Sequence, residues 1–129
     1  MTENAELINQ ARQARQHARA PYSGYTVGAA VLGTSGRIYP GCNVESSAFS
    51  TTLCAERVAI FGAIAAGEAG FAALAVATRN GGTPCGACRQ VIHEQCGEIP
   101  IYLVGENSGQ PVKFTTSQLL PHPFGPDEI

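Results

Sequence analysis

Cys54-Ala55-Glu56, followed further along by Pro84-Cys85-Gly86-Ala87-Cys88, constrains this chain more than any other feature. Three cysteines in two separate segments can serve one metal ion only if the fold brings those segments together. Structural zinc sites usually take four protein ligands and exclude water, whereas catalytic ones take three and leave a position for water. Here the fourth candidate is Glu56, two residues from a ligand. A carboxylate next to metal-activated water is placed to move protons.

Cys85 and Cys88 have the C-x-x-C spacing that lets two sulfurs reach one ion, and Gly86 permits the tight bend. Taken alone, the pair also fits a redox motif. Both ligand groups fall at expected helix starts, where free N–H groups and the helix dipole stabilise thiolates. Residues two apart on a regular helix point about 200° apart. Cys54 and Glu56 can therefore share a site only if Cys54 sits at the lip of its helix. Three thiolates on a divalent cation leave a net negative charge, which opposes acidification of water. Arg57 is the candidate to offset it by donating to the cysteine sulfurs, the alternative being an ordinary structural salt bridge.

The 129 residues fit one domain spanning 1–129, 44% hydrophobic and 14% charged. A net charge of -2 and a single lysine, Lys113, argue against a nucleic-acid partner. Arg12, Arg15 and Arg19 share one side of the first helix and read as a solvated face. No secretory leader and no apolar run near the ~20 residues of a membrane span is read, so no membrane partner is expected. The five cysteines are an odd number with three in metal-type spacing, which points to reduced thiols and a cytoplasmic location. Cys42 and Cys96 read as small buried hydrophobes. His17, His93 and His122 lie outside every motif.

Leu7, Ile8, Ala11, Ala14 and Ala18 recur at helical spacing, with Thr2 or Asn4 as cap and Pro21 as stop. Strands are predicted over 25–32 and 37–44, paired as a hairpin through the 33–36 turn, with Pro40 weakening the second. Residues 54–66 predict a helix apolar on most sides, hence buried, stopped by Gly67. Its small residues Ala59, Gly62, Ala63, Ala65 and Ala66 would permit close helix approach. A strand over 74–78, a turn at 80–82, a helix over 88–95 and a strand over 101–104 follow. After them come a turn with a short return strand within 105–113, a helical turn at 117–120 and a proline-rich tail pinned to the surface. This alternation predicts an α/β domain: a three-layer α/β/α arrangement with a mixed central sheet of about five strands.

Further segments stand in order beside the cysteines: Ala20-Pro21-Tyr22-Ser23, Val27-Gly28-Ala29-Ala30, Gly41-Cys42-Asn43-Val44-Glu45, Cys54-Ala55-Glu56-Arg57, Pro84 to Gln90, and Leu119-Leu120-Pro121 with Phe124. Over essentially its whole length the chain resembles the small, homotetrameric class of cytidine deaminase. The resemblance implies one Zn²⁺ per chain held by Cys54, Cys85 and Cys88, with Glu56 as proton shuttle. It implies that Asn43 and Glu45 hold the ribose hydroxyls; two apart on a strand, they would share a face. It also implies a base contact from the backbone of Ala55. Tyr25 stands where the family usually has a phenylalanine near the nucleoside, so its hydroxyl is a departure. Phe49 falls at a position that tends to be aromatic. Phe124 matches a residue that reaches a neighbouring subunit's pocket. The implied reaction is hydrolytic: cytidine or deoxycytidine loses its 4-amino group as ammonia, in pyrimidine salvage.

Three rival readings fit parts of this pattern. A structural zinc module would need a fourth ligand from Cys42 or Cys96. A deaminase of bases within nucleic acid would need a basic groove or stacking platform. A deaminase of a nucleoside-like antibiotic such as blasticidin S would share the zinc motif, and Asn43-Val44-Glu45 is the feature that discriminates against it.

Overall fold

The computed structural model describes residues 4–129. Helix α1 (Ala5–Arg15) leads into β1 (Gly28–Gly33) and β2 (Ile38–Cys42), then α2 (Ala55–Ala65), β3 (Phe71–Ala77), α3 (Gly86–Cys96), β4 (Pro100–Val104), β5 (Val112–Thr115) and the single-turn α4 (Thr116–Leu119). The five strands form one sheet in the order β2-β1-β3-β4-β5. Only β3 and β4 are parallel; the other pairs run antiparallel. The sheet is mixed, as the sequence predicts, because α3 supplies the one crossover that a parallel pair requires.

Strand alternation divides the core into two layers. Ala29 and Val31 of β1, Leu74 and Val76 of β3, and Ile101 and Leu103 of β4 face α2 and α3, packing with Ile60, Ala63 and Ile92. The opposite face presents mostly small groups, Ala30, Ala73, Ala75 and Ala77, to Leu7, Ile8 and Ala11 of α1. Alanine on the sheet lets α1 lie close. At Gly28 a Cβ would fall 2.1 Å from the Ala11 carbonyl oxygen, so no larger residue fits there.

Several boundaries differ from the sequence prediction, each for a local reason. Residues 25–27 are not sheet, because their backbone groups bond to side chains. The Tyr25 carbonyl accepts from Asn43, Val27 N–H donates to Asn43, and the Thr26 carbonyl accepts from Arg15. Pro40 is accommodated within β2 because that strand is an edge. Asn4 does occupy the cap position of α1, but its side chain makes no cap bond and donates instead to the Tyr102 hydroxyl at 2.9 Å. Thr2 lies outside the described residues.

The arginines of α1 are not a solvated face. Arg12 donates to the Gly105 carbonyl at 2.8 Å, and Arg15 pairs with Glu106 at 2.9 Å. They cap the loop after β4. Helix α1 ends at Arg15, well before Pro21, so Arg19 is not on the helix; it forms a β-bridge with Val44, and the residue is exposed.

Helix α2 ends where predicted. Gly67 adopts φ 95°, its N–H donates to Ile64, and the next N–H returns to Ala63. This is the left-handed closure that glycine favours. The helix is not buried all round, however: Phe61 and Ile64 are 43% and 41% exposed, and Gly62 and Ala65 lie open beside them. The inner side is tightly seated. A Cβ on Gly41 of β2 would fall 2.5 Å from both the Ala55 carbonyl oxygen and the Ala59 nitrogen. Since those atoms are backbone, the helix itself would have to move. Gly41→Ala is therefore expected to destabilise the protein by about 1–3 kcal/mol, read from urea unfolding midpoints. An unchanged midpoint would show that α2 does not depend on this approach.

Candidate metal centre and active site

Cys54 and Cys85 are the N-cap residues of α2 and α3, both with extended backbone (φ -75°, ψ 152° and φ -66°, ψ 166°). Cys54 thus stands at the lip of its helix, free of the helical spoke that would turn it away from Glu56. Neither thiol caps its own helix. With Cys88, fully buried one turn into α3, their sulfurs form a cluster within 4.8 Å of one another, and Cys54 Sγ lies 3.9 Å from Cys85 Sγ. Tetrahedral ligation with Zn–S near 2.3 Å calls for sulfurs about 3.8 Å apart. The donor set fits a zinc ion, and none of the cysteines is in a disulfide.

The electrostatics agree. Hydrogen bonding from Cys88, then from Arg57, holds the Cys54 thiol down at about 5. Its bond to Cys54, together with burial, pushes the Cys88 thiol up instead. Without a cation one thiolate opposes the next; a cation among them removes the conflict. Arg57 Nη2 donates to Cys54 Sγ at 3.3 Å, while its buried Nε has no partner.

Glu56 is 4% exposed, and burial, then the Cys54 charge, raises its carboxyl to about 7. It lines a cavity of about 310 Å³ together with Cys54, Cys85, Tyr25, Asn43 and Glu45. A carboxyl that ionises near neutrality beside a cluster of thiols can both take and give a proton. At the far side, Glu45 accepts from the N–H groups of Tyr22 and Ser23 and from the Ser23 hydroxyl, which hold its carboxyl below the usual range. Asn43 and Glu45 both lie beyond the end of β2 at Cys42, so strand alternation does not set them on one face. Asn43 spends one acceptor and one donor on Val27 and Tyr25, which leaves it one further N–H and one lone pair.

Residues 1–103 match the family described as the cytidine and deoxycytidylate deaminase zinc-binding region. The chain belongs to that family.

A cytidine deaminase of Sporosarcina psychrophila is 46% identical over 127 residues, covering 96% of this chain and 93% of that protein. One from Mycobacterium tuberculosis is 38% identical over 125 residues, covering 95% and 90%. The crystal structure of cytidine deaminase from Burkholderia pseudomallei superposes with a TM-score of 0.88 at 39% identity, covering 95% of this chain and all of that one. The mixed five-stranded α/β/α architecture is thus the family's fold, and the three clustered cysteines fall within the matched region and could hold a metal ion.

Not every residue expected at the site lines the cavity. Ala55 is fully buried at the start of α2 and does not line the cavity. Phe49 is 75% exposed and borders an adjoining recess with Tyr22 and Glu45. Phe124 is 54% exposed and outside the cavity, its backbone held at both N–H and carbonyl by the Gln90 amide.

Several functional positions escaped the sequence reading. Ser23, which orients Glu45, carries no chemical signal of its own in the sequence. Thr78, Gly82 and Thr83 complete the cavity wall. Arg89 ties Pro84, Thr83 and Leu119 together, fixing the strap that carries Cys85.

Metal analysis of purified protein is expected to find about one zinc per chain. Glu56→Gln should retain it, Cys85→Ala should lose most of it, and Arg57→Ala should hold it less tightly against a chelator. Full zinc retention by Arg57→Ala together with unchanged turnover would remove Arg57 from the site.

Proposed function

We propose that this chain is a zinc-dependent aminohydrolase of cytidine and deoxycytidine, serving pyrimidine salvage in the cytoplasm as a single catalytic domain over 1–129. The observation that carries this reading is the pairing, in one cavity, of a buried Glu56 beside three clustered thiols with a diol-sized polar end at Asn43 and Glu45. The relatives named as cytidine deaminases along nearly their whole length support it.

Zinc, when bound by Cys54, Cys85 and Cys88, supplies the Lewis acidity that makes water nucleophilic near neutral pH. Arg57 offsets the excess negative charge of the three sulfurs. Glu56 takes a proton from the attacking water, delivers it to N3 of the cytosine ring, and later protonates the departing 4-amino group. The balance is cytidine plus water giving uridine plus ammonia. Glu45, held ionised, accepts from a ribose hydroxyl, and the free N–H of Asn43 donates to its neighbour. Tyr25 forms part of the nucleoside wall, the Ala55 backbone meets the base edge, and Phe49 lies at the mouth.

The decisive assay is the loss of cytidine absorbance with zinc quantified in the same samples. Wild-type protein should convert cytidine to uridine, and Glu56→Gln should lose about 10²–10⁴ of the rate while keeping its zinc. A wild type that carries zinc but deaminates neither cytidine nor deoxycytidine would refute the nucleoside assignment.

The reading includes assembly as a homotetramer. The exposed strip of Phe61, Gly62, Ile64 and Ala65 on α2 is a face with small residues on which a second copy can pack closely. A tetramer would also give the outward-facing Phe124 a neighbouring pocket to enter. Light scattering should therefore show four chains, and Phe61→Glu should yield smaller species. A fully active monomeric wild type would overturn the tetramer and the shared role of Phe124 together.

A further inference from the structure

The hydroxyl of Tyr25 donates to Asn80 Oδ1 at 2.7 Å. Asn80 Oδ1 also accepts from the Gly82 N–H at 3.2 Å, and Thr78 Oγ1 accepts from the Gly81 and Gly82 N–H groups at 2.7 and 3.0 Å. The 78–82 turn is thus wrapped around two side-chain oxygens, one of them fastened to Tyr25. The same turn runs through Gly82 and Thr83, which line the cavity, directly into Pro84 and Cys85.

Tyr25 is held at its other end too, since its carbonyl accepts from Asn43 Nδ2 at 2.9 Å. One residue therefore bonds the Asn43 side of the cavity with its backbone and the metal-ligand side with its hydroxyl. The Arg79 guanidinium sits 5.6 Å from the centre of the Tyr25 ring and braces it. A Cβ on Gly82 would lie only 2.8 Å from the Tyr25 oxygen, so the turn approaches the ring as closely as glycine allows. A phenylalanine at this position could not make the bond.

We propose that Tyr25 and Asn80 form a clasp across the cavity that fixes its width, making both of them positioning residues for the bound nucleoside. The identity of the ligand rests on the reading given under Proposed function; the clasp itself stands on the geometry alone.

The test compares zinc-loaded wild type with Tyr25→Phe, Asn80→Ala, Asn80→Asp and the Tyr25→Phe/Asn80→Ala double variant. Losing one neutral hydrogen bond in Tyr25→Phe should raise KM for cytidine about fivefold, with kcat within about twofold because Glu56 and the sulfurs are untouched. Asn80→Ala should do the same, the double variant should add little, and Asn80→Asp should stay near wild type because it keeps the acceptor oxygen. Amide exchange across residues 78–83 should speed up in Tyr25→Phe. Unchanged exchange there, or additive KM effects in the double variant, would overturn the clasp, as would a fall in thermal stability with KM unmoved. Should the wild type fail to deaminate cytidine, the nucleoside reading falls, and the exchange rates of the 78–83 segment still decide the clasp.

Discussion

Mutual repulsion among three thiolates is the interaction around which the rest of this structure is arranged. Sulfurs gathered within 4.8 Å cannot all ionise without a cation among them. The chain prepares for that cation from several directions. The N-termini of α2 and α3 both open at the cluster, where their unpaired N–H groups favour negative charge. Arg57 brings a guanidinium to Cys54. Glu56, the second residue of α2, is kept from ionising early by its burial. Burial raises the Glu56 carboxyl, whereas bonds from Cys88 and Arg57 lower the Cys54 thiol two residues away.

The sheet explains how two distant segments are delivered to one point. Strands β3 and β4 are parallel, so α3 must cross between them, and its first turn falls beyond the C-terminal end of β3. Open α/β sheets place their sites at such strand ends. Helix α2 is pressed against the hairpin through Gly41, which fixes Cys54 and Glu56 relative to the sheet rather than to a loop. The unequal faces serve the same end. Leucine, isoleucine and valine on the α2/α3 side build a deep layer that anchors both ligand-bearing helices, while alanines on the other side need only seat α1.

Much of this was legible from residue types alone. The cysteine spacing announced the cluster, Gly67 and the apolar run announced α2, and the alternation of short strands and helices announced the layers. What remained hidden depended on hydrogen bonds between residues far apart in sequence. Residues 25–27 look like strand because they are β-branched and aromatic, yet their backbone partners are the Asn43 amide and the Arg15 guanidinium, which no local pattern reveals. Arg12 and Arg15 look like a solvated stripe because their partners, Gly105 and Glu106, arrive from the far end of the sheet. The exposed strip on α2 is hidden in the sequence for a different reason: composition reports how apolar a helix is, not whether one chain supplies everything that covers it. Asn43 shows the limit most clearly. Its type suited a ligand contact, while half of its bonding capacity turned out to hold the cavity wall in place.

The rival chemistries separate on the same physical grounds. A structural zinc site closes its coordination sphere with a fourth protein ligand. Neither Cys42 nor Cys96 joins the cluster, and Cys96 is held in apolar surroundings where burial pushes its thiol up to about 12. The group that faces the cluster's cavity is instead Glu56, whose raised pKa suits proton transfer better than ligation. A polymeric substrate needs a continuous cationic track, whereas Glu45 stands in the cavity wall and the chain is acidic overall. Glu45 also weighs against substrates lacking a diol. Three donors from Tyr22 and Ser23 hold that carboxylate ionised. An acceptor held ionised in the cavity wall favours a bound molecule that brings donors of its own over one that brings none.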